Sequence, residues 1–219
     1  MSHSLFAGGI LAVAGLLGCF GESGASAAPI PNAEVTAKPD GIQKAVLGGG
    51  CFWGVDAVFK HVKGVLQVFS GYSGGSEDTA RYDIVSSGST GHAEAVEITF
   101  DSRVVSYETI LKIFFSVAHD PTEHNRQGPD VGSQYRSVIF YHGAEQKRIA
   151  ESYIAQLNKA GVFNRPIATE VILFKAFYRA EDYHQNFLEN HPDYPYIVYN
   201  DLPKLAALKR LYPELFYNP

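Results

Sequence analysis

Residues 48–54 read Gly-Gly-Gly-Cys-Phe-Trp-Gly, and this stretch decides how the rest of the chain is arranged. The apolar run 45–47 before it is typical of the end of a strand. After it, apolar side chains recur at helical spacing at Phe52, Val55, Val58, Phe59 and Val62. Gly64 then stands where a helix commonly ends. The sequence therefore predicts a strand that turns into a helix through three glycines, with Cys51 in the first turn of that helix.

The position of Cys51 predicts a reactive thiol. Free N–H groups and the positive end of the helix dipole stabilise an anion at a helix start, and a thiolate is such an anion. We therefore expect a lowered pKa and a nucleophilic sulfur at Cys51. Phe52 and Trp53, the only tryptophan of the chain, would stand beside the sulfur. The alternative is an inert cysteine in the core, where free cysteines are common.

Composition limits the classes of function. The chain has 219 residues, 46% hydrophobic and 19% charged, which suits one globular domain with a substantial core. A net charge of -5 without basic runs argues against a nucleic-acid partner. The histidines and cysteines lack the spacings typical of metal sites, so no metal is expected. His119 is instead expected to end a helix, where its charge would complement the helix dipole.

The first residues resemble a targeting segment. Residues 5–20 are apolar, but too short and too rich in glycine for a membrane span, and they fit the centre of a secretory signal. Ala25-Ser26-Ala27 matches a signal cleavage pattern, so we expect a signal peptide over 1–27 and an exported protein, periplasmic or secreted. The stretch Leu16-Leu17-Gly18-Cys19 leaves open a lipoprotein anchored through Cys19.

After cleavage, a proline-rich stretch over 28–42 is expected to form a flexible tether. One folded domain is expected over 43–219. The chain contains two cysteines, and removal of the signal would leave Cys51 alone. Exported proteins normally use cysteines in pairs, so a single remaining one indicates a reactive thiol.

Hydrophobic patterns predict the remaining elements and the fold. The strands are expected at 65–72, 92–100, 135–141 and 169–176, and the helices at 106–119, 144–159, 180–189 and 203–215. Ser106 is expected to cap its helix, and the largely apolar strand 169–176 is expected in the middle of the sheet. The order predicts an α/β (α+β) fold, a two-layer sandwich of a mixed sheet and packed helices with a ferredoxin-like core.

Glu94 is the candidate general acid. Along the strand 92–100 the side chains alternate, so Glu94 shares a face with Val96, Ile98 and Phe100. A carboxyl that faces the core has its charged form disfavoured, which raises its pKa and suits it to donate a proton near neutral pH. The alternative is a carboxylate near the strand end that reaches solvent.

Three other interpretations remain open at this stage. A Cys–His acyl hydrolase would need a histidine beside Cys51, for which His119 or His184 are candidates. A glycine run can also hold a phosphate, although the patterns of the known nucleotide loops are missing. A non-enzymatic binding protein would leave Cys51 inert. Tyr72, Tyr82 and Tyr135 stand at loop–strand junctions, where tyrosine serves packing more often than substrate binding.

Six motifs together resemble the A-type peptide methionine sulfoxide reductases. They are GGGCFWG at 48–54, GYSGG at 71–75, TGHAEAV at 90–96, HDPT at 119–122, RQGPDVGSQYRS at 126–137 and EDYHQ at 181–185. The resemblance extends from about residue 43 to residue 215 and makes 43–219 a catalytic reductase domain. It implies reduction of the S epimer of methionine sulfoxide, free or in proteins, without a cofactor.

The resemblance also implies a role for each matching residue. Cys51 would attack the sulfoxide sulfur, and Glu94 would protonate the oxygen. Tyr82 and Tyr135 would donate hydrogen bonds to that oxygen. The substrate's methyl group would lie against Phe52 and Trp53, and the site would be ordered through water by Asp130. His184 and Gln185 belong to the same signature without an assigned role.

The cysteine count distinguishes this chain from many relatives. Many members of the family carry further cysteines, often near the C-terminus, that convert the sulfenic acid into a disulfide. Residues 186–219 contain none, and position 86 is serine. We therefore expect a one-cysteine enzyme that is recycled by an external thiol, namely thioredoxin, glutaredoxin or glutathione. We also expect a monomer. Only Cys19, if it were retained, offers an internal alternative.

Overall fold

The computed structural model describes residues 28–219. The signal peptide expected over 1–27 and Cys19 lie outside the described residues. Within the described range the strands are β1 (Ile42–Gly48), β2 (Val65–Ser73), β3 (Ala93–Asp101), β4 (Arg126–Gln127), β5 (Asp130–Val131), β6 (Val138–Tyr141), β7 (Glu170–Leu173) and β8 (Phe177–Arg179). The α-helices of the same range are α1 (Phe52–Lys60), α2 (Tyr82–Val85), α3 (Tyr107–Ile113), α4 (Ala144–Lys159), α5 (Phe187–Asn190) and α6 (Leu202–Leu211).

Six strands form one mixed sheet in the order β7-β6-β1-β3-β2-β8. Only β6 and β7 run parallel, and the other neighbours are antiparallel. The short strands β4 and β5 form a separate hairpin. The expected α/β fold of a mixed sheet with packed helices is therefore confirmed, and β1 and β3, which lead to Cys51 and carry Glu94, lie side by side in its middle.

The alternation along β3 decides which side chains meet the helices. Val96, Ile98 and Phe100 are fully buried in the large core that α1, α3 and α4 cover. The intervening Ala93 and Ala95 belong to a smaller cluster on the opposite face of the sheet. Glu94 therefore points to the side on which helix α1 begins, as the sequence pattern predicts.

Helix α3 confirms the predicted Ser106 cap and continues into a π-helical turn. Ser106 Oγ accepts a hydrogen bond from the Thr109 N–H at 3.2 Å, which supplies a partner for a free donor of the first turn. The helix continues through the π-helical turn Phe114–Ala118 and ends at His119. The expected helix 106–119 is thus present, as an α-helix followed by a π-helical turn.

Two predictions about the C-terminal half are wrong. The strand expected in the middle of the sheet is β7, which stands at its edge and leaves Leu173 53% exposed. An apolar run shows that a strand is partly covered, but it does not show where in the sheet the strand lies. The helix expected over 180–189 is divided into the 3₁₀ turn Asp182–His184 and helix α5, because Asn186 adopts a left-handed conformation (φ 54°) between them.

The segment 28–41 is not the free tether that the sequence suggests. Ile30 is 6% exposed and belongs to the main core. Tyr153 Oη donates to the Pro31 carbonyl at 2.6 Å, and Lys112 Nζ donates to Asn32 Oδ1 at 2.7 Å. Frequent prolines indicate that a stretch is not helical, but they do not exclude an extended segment that packs against the folded domain. The segment lies against α3 and α4, and residue 42 already belongs to β1.

This packing predicts a stability effect that a free tether would not show. Replacing Ile30 by alanine should lower the free energy of unfolding by about 2 kcal/mol, because a buried side chain is truncated. Urea unfolding of Ile30→Ala measures this change, and Lys38→Ala, an exposed position in the same segment, is the control. Equal stability of the two variants would show that the segment does not pack in solution.

Candidate active site

The turn from β1 into α1 presents Cys51 as the N-cap residue of the helix. Gly50 has φ +86°, and a Cβ there would lie 2.5 Å from Gln127 Cγ. A Cβ on Gly49 would lie 2.9 Å from the rings of His119 and Phe114. Only glycine fits at Gly49 and Gly50. The glycine run therefore lets the backbone approach the side chains of Gln127, His119 and Phe114 closely, and this close approach fixes the position of the Cys51 sulfur.

Cys51 opens into a cavity of about 210 Å³. Its lining residues are Cys51, Phe52, Trp53, Tyr82, Glu94, Asp130, Tyr135, Tyr194 and Tyr196. All seven residues that the sequence nominates for the site are therefore brought together, from five separate parts of the chain. The two tyrosines from the C-terminal part were not predicted.

Glu94 behaves as the sequence pattern predicts. The residue is 2% exposed, and burial raises the pKa of its carboxyl to about 8, with a further contribution from the charge of Asp130. The Phe52 N–H donates to Glu94 Oε2 at 3.0 Å and opposes this rise without cancelling it. Since Oε2 accepts that bond, Oε1 is the oxygen that can carry the proton. Near neutral pH the pocket therefore contains a protonated acid.

The expected lowered pKa of Cys51 is wrong. The thiol is 8% exposed, and burial raises its pKa well above the usual value. The carboxyl charges of Glu94, Asp201 and Asp130 raise it further, and the Trp53 N–H that bonds the sulfur lowers it only in part. A helix start does favour a thiolate, but desolvation and three surrounding acids outweigh it here. The resting site therefore contains a neutral thiol.

The two predicted phenols remain hydrogen-bond donors. Burial raises the pKa of both Tyr82 and Tyr135, and the charge of Glu94 contributes in the same direction. Glu181 places Tyr82, since its Oε1 accepts from the Tyr82 N–H at 2.9 Å. The other carboxylate oxygen of Glu181 accepts from Tyr72 Oη at 2.9 Å. Tyr72 itself is fully buried behind the pocket and serves packing.

Asp130 has a partner that sequence analysis missed. Tyr196 Oη donates a short hydrogen bond to Asp130 Oδ2. Burial raises the pKa of Asp130, and this hydrogen bond together with the charge of Lys204 lowers it. The signal that could have indicated Tyr196 is the cluster of tyrosines at 194, 196 and 199 in a short stretch after Pro192.

Trp53 forms a rigid wall of the pocket. Its ring stacks on Phe187 at 3.6 Å with an angle of 3° between the planes. The edges of Tyr194 and Tyr196 meet it at 6.3 Å and 5.8 Å between centroids. Trp53 Nε1 donates to His184 Nδ1 at 3.2 Å, which gives this signature histidine a supporting position behind the indole. The orientation of the indole is thus fixed from three sides before any substrate arrives.

The two histidines considered for a Cys–His pair have other partners. Burial lowers the pKa of His184, whose Nδ1 accepts from Trp53, while its Nε2 has no hydrogen-bond partner in the described part of the chain. Burial lowers the pKa of His119 to about 4, and its ring nitrogens bond the Phe114 carbonyl at 3.0 Å and Ser137 Oγ at 2.6 Å. His119 is therefore a buried neutral residue, which corrects the expectation of a charge at a helix end. Neither histidine supplies a base for an acyl hydrolase.

Neither a cluster of metal ligands nor a membrane-spanning helix occurs within residues 28–219. No group of three or more histidine, cysteine, aspartate or glutamate side chains in this range is placed to hold a metal ion. Within the same range, none of the helices is both long and apolar enough to cross a membrane.

Comparison with known proteins then connects this geometry to a family. The family model of peptide methionine sulfoxide reductases matches residues 43–214. The chain belongs to the peptide methionine sulfoxide reductase family. It is similar to peptide methionine sulfoxide reductase MsrA 2 of Mesorhizobium japonicum, with 57% identity over 176 residues, 80% of this chain and 90% of the relative. MsrA 2 of Synechocystis is 55% identical over 174 residues, 80% of this chain and 81% of the relative.

Solved structures agree with this family membership. The reduced form of Mxr1 from Saccharomyces cerevisiae is 30% identical with a TM-score of 0.65, covering 74% of this chain and 92% of that one. Methionine sulfoxide reductase A of Corynebacterium diphtheriae is also 30% identical, with a TM-score of 0.60 and coverage of 78% and 90%. The expectation that this reductase chain is a peptide-methionine (S)-S-oxide reductase is confirmed.

Proposed function

We propose that this reductase repairs oxidised methionine by direct attack of the Cys51 sulfur on the sulfoxide, with Glu94 as the proton donor. The observation that carries this proposal is the buried Glu94 carboxyl, which accepts from the Phe52 N–H at 3.0 Å and lines the same cavity as Cys51. A sulfoxide oxygen leaves sulfur only after it is protonated. An acid that keeps its proton up to about pH 8 meets that need.

The pocket fixes three directions around the substrate sulfur. Glu94, Tyr82 and Tyr135 would receive the oxygen, since all three present O–H donors to one cavity. The apolar rings of Phe52 and Trp53 would receive the methyl group. Cys51 would approach from the helix start. The pocket thus assigns a place to the oxygen, to the methyl group and to the attacked face of the tetrahedral sulfur. Only one configuration at sulfur satisfies all three, which accounts for selection of the S epimer.

The reaction balances without an added proton. Glu94 protonates the sulfoxide oxygen as the Cys51 sulfur attacks, and the carboxylate that forms takes the proton of the thiol. The attack forms a bond between the two sulfurs, and this bond breaks again as the hydroxyl group passes from the substrate sulfur to Cys51. The sulfur–oxygen bond of the substrate is thereby exchanged for that of the sulfenic acid. The products are methionine and a sulfenic acid, so the substrate sulfur is reduced by two electrons and Cys51 is oxidised by two.

This balance predicts a pH dependence. The reacting state carries protons on both Glu94 and Cys51, so the single-turnover rate should fall as pH rises through about 8, where Glu94 ionises. Glu94→Gln keeps an acceptor for the Phe52 N–H and should lower the rate by about 10²-fold or more. The fall near pH 8 should disappear in this variant.

Stopped-flow measurement of methionine release across this pH range provides the test. Glu97→Gln, on the same strand but in a surface ion pair with Lys44, is the control and should retain the wild-type profile. A wild-type rate that is flat through pH 8, or a Glu94→Gln rate equal to that of the control, would remove Glu94 from the acid role.

We further propose that an external thiol recycles the enzyme. Cys51 is the free cysteine of the described residues, and no other cysteine occurs after it in the chain. One thiol displaces water from the sulfenic acid to form a mixed disulfide, and a second thiol releases Cys51 and a disulfide product. Thioredoxin, glutaredoxin or glutathione supplies both thiols. We also propose a monomer as the working form, because the seven nominated side chains already come together within a single chain.

A single turnover without reductant tests this cycle. Full-length reduced protein and its Cys19→Ser variant, mixed with excess methionine-S-sulfoxide, should each release one methionine per chain. Intact mass should then show one added oxygen at Cys51. A disulfide in the wild type that is missing in Cys19→Ser would show internal resolution instead. Light scattering on the same sample tests the monomer, which a mass near twice 23.9 kDa would contradict.

Export is also part of the proposal, supported by the apolar run 5–20 and the pattern at 25–27. The enzyme would then act on proteins outside the cytoplasm. Cell fractionation with mass spectrometry of the N-terminus should find an exported form that begins after residue 27 or 28. A lipid-modified Cys19 in the membrane fraction would favour the anchored alternative, and uncleaved protein in the cytosol would contradict export.

A further inference from the structure

Asp201 is a buried carboxylate that the proposed reaction does not use. It is the N-cap residue of α6, a position where aspartate normally accepts from the helix's own N–H groups. Here the side chain makes no such bond. It is fully buried, and its Oδ2 has no hydrogen-bond partner within residues 28–219. A buried carboxylate oxygen without a partner is costly, which indicates that its position serves another purpose.

The carboxylate lies against the first turn of α1. A Cβ on Gly54 would lie 2.1 Å from Asp201 Oδ1 and 2.5 Å from Lys204 Nζ. Lys204 Nζ itself bonds Asp201 Oδ1 at 3.1 Å. Gly54, the last residue of the GGGCFWG motif, is therefore the space in which this ion pair sits. The pair thus lies against the helical turn that Cys51 begins.

We propose that the Asp201–Lys204 ion pair is a positioning element for the nucleophile. The two opposite charges of the pair lie beneath the first turn of α1, and together they keep the Cys51 thiol protonated until substrate binds. The proposal rests on the proposed function only in taking Cys51 as the nucleophile. Charges act strongly over short distances in a buried site, because little water screens them. A negative charge on Asp201 opposes a thiolate at Cys51. Burial raises the pKa of the Asp201 carboxyl, and the charge and hydrogen bond of Lys204 act against that rise.

Several groups face the Cys51 sulfur and share control of its proton. The titratable neighbours are Glu94, Asp130, Asp201, Tyr82, Tyr135 and Tyr196. The phenols are neutral, and Glu94 is neutral below about pH 8. Asp130 and Asp201 are the two other carboxyls whose charge raises the pKa of the thiol, and Lys204 acts against the rise that burial causes in the pKa of each. Asp130 lines the cavity, whereas Asp201 lies behind the helix turn, so Asp201 can act on the sulfur without touching substrate.

An ion pair within α1 itself provides a matched control. Asp56 is also buried, and its Oδ1 has no partner among the described residues. Lys60 Nζ bonds Asp56 Oδ2 at 2.5 Å and also bonds Asn186 Oδ1 at 2.6 Å. The two pairs therefore share chemistry and burial, and both lie at α1: Asp56 and Lys60 belong to that helix, whereas Asp201 and Lys204 reach it from the start of α6. They differ in that the Asp201 pair lies at the turn that carries the sulfur.

The experiment measures how fast iodoacetamide alkylates Cys51 in the folded protein as a function of pH, with Cys19→Ser as the background. Asp201→Asn leaves the Lys204 charge alone near the thiol and should raise the alkylation rate at about pH 8 by threefold or more. Asp201→Asn/Lys204→Met removes both charges and should give a rate between that variant and the background. Asp56→Asn should retain the background profile.

The order of rates separates this proposal from a structural role. Loss of packing alone would affect Asp201→Asn and Asp56→Asn alike, and circular dichroism identifies any variant that does not fold. The double variant leaves no unpaired charge in the interior and tests the proposal if the single variant fails to fold. Superimposed profiles of folded Asp201 variants and Asp56→Asn would overturn the proposal. Because alkylation needs no sulfoxide, this result is independent of whether the proposed reaction is correct.

Discussion

The hydrogen bond from the Phe52 N–H to Glu94 Oε2, at 3.0 Å, fixes the position of the acid relative to the neighbouring Cys51. It joins the start of α1 to the central strand β3, and so couples the position of the nucleophile to that of the acid. It also occupies one carboxyl oxygen with a backbone donor and leaves the other for a proton. Because both partners belong to rigid elements in the middle of the fold, their relation does not depend on a mobile loop.

The same burial that protonates Glu94 also protonates Cys51. Removal of water raises the pKa of a carboxyl and of a thiol alike, so a pocket dry enough to keep an acid neutral cannot also hold a resting thiolate. The helix start and the Trp53 N–H favour the anion, yet they act against three carboxyls. Reactivity therefore has to arise when the substrate brings a polar sulfoxide into the pocket. A neutral thiol in such a site reacts slowly with other electrophiles.

Local patterns predicted what depends on neighbours in the chain. The glycine run, the alternation that turns Glu94 inward and the Ser106 cap are each properties of a few consecutive residues. The full set of seven predicted side chains that line the pocket was nominated by the family resemblance and not by local patterns alone. What failed depends on partners distant in sequence. Whether β7 lies in the middle or at the edge is decided by what pairs on its far side, and the partners of Tyr196 and the pKa of Cys51 depend on burial that no local pattern shows.

Proposed recycling by an external thiol requires that Cys51, the free cysteine within residues 28–219, stay accessible from the cavity. A sulfenic acid on a residue that is 8% exposed must be reached by an external thiol through the opening that admitted the substrate. Methionine must therefore leave before reduction starts, and the cavity serves two ligands in turn, each of which presents sulfur to Cys51. A wall of stacked aromatic rings suits both, because it holds a methyl group through apolar contact and makes no bond that a thiol would have to break.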